Sequence, residues 1–492
     1  MALPAARAQL PGLGDVDEMT ASAERRLGDS IARELYRDTD YIDDPVLVEY
    51  VDQIWQRLKA AARVRGELTP ELDERFAWQV LLGRDRSINA FALPGGYLGV
   101  HLGLVAAVGS RDELAAVLGH ELSHVTQRHI ARMLSKQGKQ MPLMIAAMVL
   151  GMLAASKSRS PDAGQAVLMG SQAAFMQNQL SFSRDVEREA DRVGFGVMTQ
   201  AGFAPQGAAI MFERLQYAAR LNDNGSFPYL RSHPMTGERI ADMQTRYELQ
   251  SGRAALPLAM DHAMVASRAR VLTRPGVDQL RLWVDAAASG EFARAEPAQQ
   301  AGMLYAAALS ALELRDVKAA RSLAARLIAH TAGDAPGRRL ARLLGAEIEL
   351  RAGDAPAAAG LLDAEARDRP TLMLGAQIAI ARRSPQPWVG RLRDWLVARP
   401  RDALAWRTLG GLYTVADDPL RAIRADAEAH VAELDAAAAR DRLKAAQDLM
   451  RRATDGSVAV PIDHYEASII DTRAREVEVL VKEQAEDRQL AK

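Results

Sequence analysis

The sequence predicts an α+β domain, mainly helical with a small β-sheet, followed by an all-α domain of helical repeats. Short β-prone segments begin at about residue 76, after a stretch of helical periodicity. After about residue 262 the composition shifts to Ala, Leu and Arg, and strand signals almost disappear. Because 492 residues are too many for one hydrophobic core, we expect a leader at 1–20, a first domain at 21–262 and a repeat domain at 263–492.

The composition is that of an ordinary globular protein. Apolar residues make up 48% of the chain and charged residues 25%, and the net charge is −1 with both signs interspersed. This balance gives no reason to expect nucleic acid or an anionic membrane surface as an obligatory partner. The chain has no cysteine, which excludes zinc clusters built on Cys, disulfides and thiol catalysis.

Two segments bear on where the protein acts. Ala6-Arg7-Ala8 before Gln9 resembles the end of a secretory signal peptide whose apolar core is missing, and the alternative is a short disordered leader. The most apolar run, at 141–155, falls short of the roughly 20 residues that span a bilayer and is interrupted by Pro142 and Gly151. We expect a buried or surface-lying helix there, which allows peripheral membrane association but not a transmembrane span.

The first domain is predicted to begin with helices over residues 16–61. The segments FAWQVLL and SINAFALPGGYLGVHLGLV then predict a small sheet with a tight turn at Pro94-Gly95-Gly96. A helix is predicted from Ser110 to about Ser135. Its start is marked by an S-x-x-E capping box, formed by Ser110 and Glu113, before an apolar face at helical spacing.

A repeated pattern predicts the architecture after residue 262. The sequence LELRD at 312–316 recurs as ELRAGD at 349–354, each time between two helical stretches. The first-helix pattern of a tetratricopeptide repeat, W-x-x-L-G-x-x-Y, is spelled by four residues: Trp406, Leu409, Gly410 and Tyr413. Because such repeats bury their faces against neighbours, we expect several to stack into a curved solenoid. Generic α-hairpins with a chance match are the alternative.

His120-Glu121-Leu122-Ser123-His124 is an H-E-x-x-H motif on the helix predicted from Ser110. Residues four apart lie one above the other on a helix, so both imidazoles can reach one ion. Zinc lowers the pKa of a bound water molecule toward about 7, and Glu121 is placed to take its proton. The motif predicts one zinc ion per chain and hydrolytic chemistry, against the alternative of polar-face or core histidines.

A catalytic zinc needs a third protein ligand and an open fourth position. The extended metzincin pattern would place a histidine at position 130, which is Ile130. The candidate lies instead on an acidic helix predicted over about 172–201, where Glu187 and Asp191 are four residues apart and share a face. Glu187 would bind zinc, and Asp191 would accept the free ring N–H of a ligand histidine. Glu189 points about 160° away and is a poorer ligand.

These segments resemble the gluzincin family that includes HtpX and the CAAX prenyl protease. The resemblance rests on INAFALPGG, LGHELSHVTQRHIARM, SRDVEREADRVG with AGFAP after it, and SHPMTGERI. It is specific up to about residue 245 and looser in the repeats, and it favours the soluble members with a C-terminal repeat domain. It implies a zincin-type metallopeptidase domain with His120, His124 and Glu187 as zinc ligands, Glu121 as general base and acid, and Asp191 as their support.

The resemblance also implies two further elements. Asn89 and Ala90 match an edge strand beside the cleft, where an extended peptide would bind by β-augmentation. His233-Pro234 and Arg239 match an element for which two roles are open. Either side chain could stabilise the oxyanion that forms as water attacks a peptide carbonyl, or a neutral His233 could occupy the open zinc position and hold the enzyme latent. A structural surface histidine before a proline is the third alternative.

We therefore expect a zinc-dependent endopeptidase whose repeat domain recruits substrates or a larger assembly. By resemblance, the substrates are stalled or misfolded outer-membrane proteins, the partner is the β-barrel assembly machinery, and the location is the periplasm of a Gram-negative bacterium. The alternative is a scaffold or chaperone with a little-used zinc site. The remaining histidines have no partner at ligand spacing and are predicted to have surface or core roles: His101, His129, His262, His330, His430 and His464.

Overall fold

The computed structural model describes residues 19–137, 184–220, 229–250 and 258–490. The predicted leader up to residue 18, the apolar run at 141–155 and the first part of the helix predicted over 172–201 lie outside these residues. Within the described ranges, no helix has the length and apolar character needed to cross a membrane. The predicted fold class, a mainly helical α+β domain followed by an all-α region, is confirmed.

The first region combines helices with four short strands. Its elements up to residue 137 are α1 Ala21–Arg37, β1 Tyr41–Ile42, α2 Pro45–Val64, α3 Pro70–Arg75, β2 Gln79–Gly83, β3 Ala90–Leu93, β4 Tyr97–His101, α4 Leu102–Ala107, α5 Arg111–Thr126 and α6 His129–Gln137. Four helices follow: α7 Arg184–Gln200, α8 Gln206–Arg220, α9 Tyr229–Ser232 and α10 Gly237–Gln250. The strands form one sheet in the order β1-β2-β4-β3, with β2 parallel to β4 and the other pairs antiparallel. Strand β3 is therefore one edge of the sheet.

The second region is entirely helical among its described residues. Its elements are α11 Met260–Leu272, α12 Val277–Ala286, α13 Gly290–Arg294, α14 Pro297–Glu313, α15 Val317–His330, α16 Ala335–Arg351, α17 Ala355–Leu361, α18 Arg369–Ala381, α19 Trp388–Ala398, α20 Ala403–Val415, α21 Pro419–Ala432, α22 Ala436–Thr454 and α23 His464–Leu490. The predicted boundary at residue 262 falls inside α11, and α11 packs against both α4 and α14. One hydrophobic cluster consequently runs from Ala21 to Ile348, across that boundary.

The tight turn predicted at Pro94-Gly95-Gly96 joins β3 to β4 as a single turn of 3-10 helix. Gly95 and Gly96 have φ of 70° and 82°, a region that favours glycine because it has no Cβ. The turn is also packed tightly, since a Cβ on Gly95 would lie 2.7 Å from the Cα of Arg25 on α1. The turn thus fixes the sheet against the first helix.

The helix predicted from Ser110 to about Ser135 is wrong in its continuity. The Ser110 hydroxyl does cap α5 by accepting a hydrogen bond from the Glu113 N–H (3.1 Å). The carboxylate of Glu113, the other member of the predicted capping box, pairs with Arg214 at 3.3 Å. The helix ends at Thr126, and Arg128 adopts a left-handed φ of 52° before α6 begins at His129. This break changes the direction of the chain and brings His129 next to His124.

The repeated turn of the second region has a clear physical basis. Five helices end with a residue at positive φ, and the next residue donates its N–H to the carbonyl five residues back. This is the Schellman pattern, which satisfies carbonyls left unpaired at a helix C-terminus. The five residue pairs are Arg315–Asp316, Gly353–Asp354, Arg383–Ser384, Asp417–Asp418 and Leu434–Asp435. In four of them the second residue is an aspartate that N-caps the next helix.

Buried ion pairs tie the two regions together. Arg268 on α11 makes a two-pronged pair with Asp44, the N-cap of α2, at 2.6 and 2.8 Å. Arg369 at the start of α18 bridges Asp402 and Asp43, each at 2.8 Å. Farther along, Arg33 on α1 donates to the carbonyl of Leu434, 401 residues away (2.8 Å). The helical region therefore contacts the first region at several places, including helix α1 at the start of the first region.

Candidate metal centre

The centre lies where α5 crosses α7. His120 and His124 lie one turn apart on α5, and Glu187 and Asp191 lie one turn apart on α7. The helices approach closely because glycines meet at the crossing: a Cβ on Gly119 would lie 3.1 Å from the carbonyl oxygen of Gly194. All four side chains are buried. The structure thus brings together the two pairs that the sequence placed on separate helix faces.

His233 enters the same centre from the residue after α9. Its Nδ1 lies 3.0 Å from Oε1 of Glu187 and 3.3 Å from Nε2 of His120. Its side chain is 2% exposed, which disfavours the alternative of a structural histidine on the surface. The ring of Tyr229 stacks on it, with centroids 4.5 Å apart and planes at 29°. One ligand atom from each of His120, His124, Glu187 and His233 can be chosen so that all four lie within 4.8 Å of one another.

The spacing of these atoms fits a tetrahedral zinc ion. Zn–N and Zn–O bonds of about 2.0–2.2 Å imply ligand atoms roughly 3.3–3.5 Å apart in a tetrahedron. The two ring nitrogens Nε2 of His120 and His124 are 3.0 Å apart. Nε2 of His120 lies 3.5 Å from Oε2 of Glu187, and Nε2 of His124 lies 3.5 Å from Oε1 of the same carboxylate. The donor set of imidazoles and one carboxylate is also the set that zinc prefers.

Asp191 holds the first ligand histidine from behind. Its Oδ1 lies 2.8 Å from Nδ1 of His120, so that the proton of the neutral ring is on Nδ1 and the Nε2 lone pair faces the centre. Burial would lower the pKa of His120, but the hydrogen bonds to Asp191 and Glu187 raise it to about 10. The pKa of His124 is well below the usual value because of its burial and the neighbouring His120 and His233.

Arg239 lies behind the ligands and does not face a substrate position. Its Nε and Nη2 donate to the two oxygens of Asp191 at 2.7 and 2.9 Å. Its Nη1 contacts Oε2 of Glu187 at 2.9 Å and donates to the carbonyl of Pro234 at 2.8 Å. Burial would raise the pKa values of both carboxyls, yet His233 and His120 keep the pKa of Glu187 below its usual range, and His120 and Arg239 do the same for Asp191. This differs from the oxyanion-binding alternative predicted for Arg239, because its donors serve the two carboxylates.

Glu121 connects the centre to the edge strand. Its Oε2 accepts a hydrogen bond from the Ala92 N–H of β3 at 2.8 Å, and its Oε1 lies 3.5 Å from Nε2 of His233. Asn89, predicted on the open edge, instead uses its carbonyl within the sheet as the acceptor for His101 N–H. Because strand residues alternate in direction, the backbone groups of Ala90 and Ala92 face away from β4. The edge predicted at Asn89 and Ala90 is therefore shifted to Ala90 and Ala92.

His129 contacts the centre, which the sequence analysis missed. Its Nδ1 lies 2.9 Å from Nδ1 of His124, and its Nε2 lies 3.1 Å from Oε2 of Glu189. Arg132 also reaches Glu189, at 3.1 Å. The signal available in the sequence was weak, because 124 and 129 do not share a face on a continuous helix. By contrast, His262 has a core role, bonded to Tyr50 and the carbonyl of Val108.

Comparison with known proteins agrees with this geometry. The model of peptidase family M48 matches residues 49–247. The chain is similar to the putative beta-barrel assembly-enhancing protease of Vibrio cholerae, with 35% identity over 327 residues that cover 65% of this chain and 63% of that protein. For the beta-barrel assembly-enhancing protease of Escherichia coli the identity is 31% over 328 residues, covering 66% and 64%. The chain therefore spans less than two thirds of the length of either relative.

A further similarity covers a smaller part of the chain. The mitochondrial metalloendopeptidase OMA1 of Schizosaccharomyces pombe is 34% identical over 198 residues, which cover 40% of this chain and 51% of that protein.

Proposed function

Given that residues 49–247 of this chain belong to peptidase family M48, we propose that the protein is a zinc-dependent endopeptidase acting on misfolded or stalled proteins. The observation that carries the proposal is the buried group of His120, His124, Glu187 and His233, whose ligand atoms lie within 4.8 Å of one another. The first three residues would hold one zinc ion, the usual number of protein ligands at a catalytic zinc. His233 stands at the fourth position.

The residues around the zinc position have separate tasks in this proposal. When bound, zinc would polarise the scissile carbonyl and lower the pKa of a water molecule. Glu121 takes the proton of that water and passes it to the leaving amine. The hydrogen bond from Ala92 N–H holds the Glu121 carboxylate between strand β3 and the metal ligands. Asp191 and Arg239 fix the positions of His120 and Glu187 and are positioning residues.

The substrate would bind as an extra strand on β3. The edge of β3 that faces away from β4 carries the main-chain groups of Ala90 and Ala92, and main-chain pairing gives affinity with little dependence on side chains. Ala90 is fully buried in the closed structure, so this edge would have to be uncovered together with the zinc position. Because Glu121 is bonded to Ala92, a peptide on this edge passes next to the general base. This arrangement suits an endopeptidase that accepts unfolded segments of varied sequence.

His233 would keep the resting enzyme latent. In the structure its Nδ1 lies among the ligand atoms, 3.3 Å from His120 Nε2 and 3.0 Å from Glu187 Oε1. A side chain at this place excludes both water and the substrate carbonyl. Tyr229 stacked on the ring stabilises the closed position. Activity then requires the segment that carries His233 to move away from the zinc.

The cellular role follows from the relatives and is part of the proposal. Two of them are named beta-barrel assembly-enhancing proteases. We extend that role to this chain, with outer-membrane β-barrel proteins as substrates, their assembly machinery as partner and the periplasm as location. The helices after residue 262, which we propose to be tetratricopeptide-like repeats, would hold the partner.

The closed site also favours a second candidate, a scaffold or chaperone with little hydrolysis. Glu121 is 1% exposed and His233 is 2% exposed, so a substrate cannot reach the resting site. A chain that stays closed would act only through its helical region. The Glu121→Gln variant separates the two functions, because it should keep zinc and lose cleavage. Survival of the biological activity in this variant would favour the scaffold.

The experiment measures zinc content by mass spectrometry and casein cleavage for three proteins: wild type, Glu121→Gln and His233→Ala. We expect about one zinc per chain in each, no cleavage by Glu121→Gln and faster cleavage by His233→Ala. Slower cleavage by His233→Ala with zinc retained would reject the latch and favour a role at the oxyanion. Zinc without cleavage in any of the proteins would favour the scaffold, and absence of zinc in the wild type would reject the metallopeptidase.

A further inference from the structure

We infer that His129 and Glu189 are positioning residues that orient the ligand His124 and set its tautomer for metal binding. The inference rests on the proposed zinc site and adds residues that hold a second one of its ligand histidines in place. The two ligand histidines would then be held differently: His120 by the Asp191 carboxylate directly, and His124 by the Glu189 carboxylate through an intervening imidazole.

The three side chains form an unbroken line from the centre toward the surface. Nε2 of His124 faces Nε2 of His120 at 3.0 Å, and its Nδ1 is 2.9 Å from Nδ1 of His129. Nε2 of His129 is 3.1 Å from Oε2 of Glu189. The two imidazoles are fully enclosed, whereas the Glu189 side chain is 31% exposed.

The charge at the end of this line decides where the protons lie. A carboxylate can only accept hydrogen bonds, so Glu189 selects the tautomer of His129 with the proton on Nε2. Nδ1 of His129 then has a lone pair and must accept from Nδ1–H of His124. This leaves the lone pair of His124 on Nε2, directed at Nε2 of His120 and Glu187. The opposite arrangement would put a proton on Nε2 of His124 and set a bare nitrogen of His129 against the carboxylate.

The backbone break between α5 and α6 makes this contact possible. On a continuous helix, five residues advance by about 500°, which would place His129 roughly 140° away from His124. The left-handed conformation of Arg128, with φ of 52°, ends α5 and starts α6 at His129. Arg128 is held in that place by Glu24, whose carboxylate lies 3.1 Å from its Nε. The break therefore has a function at the centre.

Arg132 keeps Glu189 in the required position. It lies one turn after His129 on α6 and contacts the same oxygen, Oε2 of Glu189, at 3.1 Å. Glu189 and the ligand Glu187 are two residues apart on α7, so they leave the helix in different directions. Helix α7 thus supplies the ligand Glu187 on one face and Glu189, the hydrogen-bond partner of His129, on another.

The test measures the affinity for zinc by competition with a chromogenic chelator, together with thermal unfolding of the zinc-free protein. We expect His129→Phe to weaken zinc binding about 10- to 100-fold, the usual cost of removing a partner of a metal-ligating histidine. Glu189→Gln keeps the shape but removes the charge that selects the tautomer, and we expect a smaller loss in the same direction. Asp191→Asn, which alters the support of His120, is the positive control.

The negative control is His262→Gln, which alters a buried, hydrogen-bonded histidine away from the centre and should leave the zinc affinity unchanged. Equal zinc affinity in wild type, His129→Phe and Glu189→Gln would overturn the inference. So would a loss of affinity explained by unfolding of the zinc-free His129→Phe protein, if the change at the partly exposed Glu189, Glu189→Gln, had no effect. Failure of the wild type to bind zinc would instead reject the proposed function.

Discussion

Gly119 and Gly194 face each other where the two ligand-bearing helices cross. A Cβ built on Gly194 would lie 2.9 Å from the carbonyl carbon and oxygen of Gly119 and 2.9 Å from the amide nitrogen of His120. Each of those atoms is backbone and cannot move aside as a flexible side chain can. Because neither residue has a side chain, the two helices can approach closely. This approach sets the distance between the histidines on α5, His120 and His124, and Glu187 on α7.

Gly194→Ala should separate the two helices and weaken zinc binding. The clash is expected to cost about 1–3 kcal/mol, more than the gain of up to about 1 kcal/mol from the higher helix propensity of alanine. Chemical denaturation of the zinc-free protein and zinc competition measure the two effects. Gly196→Ala is the matched control on the same helix, because its Cβ would meet the guanidinium end of Arg65, which can shift. Equal behaviour of the two variants would contradict the proposed role of the crossing.

Ala92→Pro should impair cleavage without removing the metal. Proline has no N–H, so Glu121 loses its hydrogen-bond partner on β3. The sheet should tolerate the change, because this N–H points to Glu121 and not to β4. We expect kcat/KM for casein to fall about tenfold or more, as for one lost hydrogen bond to a charged group, with zinc content unchanged. Ala92→Ser keeps the N–H and should behave like the wild type.

Zinc binding should release a proton from His120. Burial opposes the charged ring, but hydrogen bonds to Asp191 and Glu187 raise its pKa to about 10 in the metal-free protein, so the ring carries two protons at neutral pH. Only the neutral ring binds zinc. Between pH 6.5 and pH 8.5 the apparent association constant should therefore rise by about tenfold per pH unit.

Calorimetric titration in buffers of different ionisation enthalpy counts the released protons directly. Asp191→Asn removes one of the carboxylates that raise the pKa of His120, so its affinity should depend less steeply on pH. An affinity that is independent of pH in the wild type would show that His120 is already neutral.

Arg268→Met should destabilise the junction between the two regions. The guanidinium pairs with Asp44, Glu347 and the hydroxyl of Tyr305, and it is buried with Asp44. Removing it leaves a buried carboxylate without its partner, which typically costs about 3–5 kcal/mol. The double variant Arg268→Met/Asp44→Asn should recover part of the loss, because asparagine is uncharged and still a good N-cap for α2.

Urea denaturation measures the free energy of unfolding for both variants. Arg321→Met provides the comparison at the surface, since the pair of the exposed Arg321 with Glu349 is screened by solvent and should contribute little to stability. Equal losses in Arg268→Met and Arg321→Met would contradict the importance of the junction.

The sequence predicted those parts of the centre that depend on one helix at a time. His120 with His124, and Glu187 with Asp191, are pairs four residues apart, and helical geometry alone brings each pair onto one face. The small sheet and its glycine turn were predicted for a similar reason, since short β-prone segments and Pro-Gly-Gly are local signals. The residues of β3 whose main-chain groups face away from β4 were predicted one position too early, at Asn89, because the direction of each strand residue depends on its pairing with β4.

The contacts that sequence reasoning missed depend on distant segments. The break at Arg128 depends on Glu24, more than a hundred residues earlier, and no local signal marks it. His129 therefore remained without a partner in the prediction. The burial of His233 depends on Tyr229 and on both ligand-bearing helices. Likewise, binding of the oxyanion stayed open as a role for Arg239, because nothing in its own segment indicates that Asp191 occupies its donors.

The contact between Arg33 and the carbonyl of Leu434 constrains when the protein can mature. Helix α1 cannot reach its final surroundings until residue 434 has left the ribosome, since that residue completes the hydrogen bond. At about 5–20 residues per second, the interval between synthesis of the two contact residues is some tens of seconds. Contacts between such distant residues also slow folding, because the chain entropy is lost before the contact is gained. Final assembly therefore follows nearly complete synthesis. A nascent chain truncated before residue 434 lacks the carbonyl that Arg33 contacts.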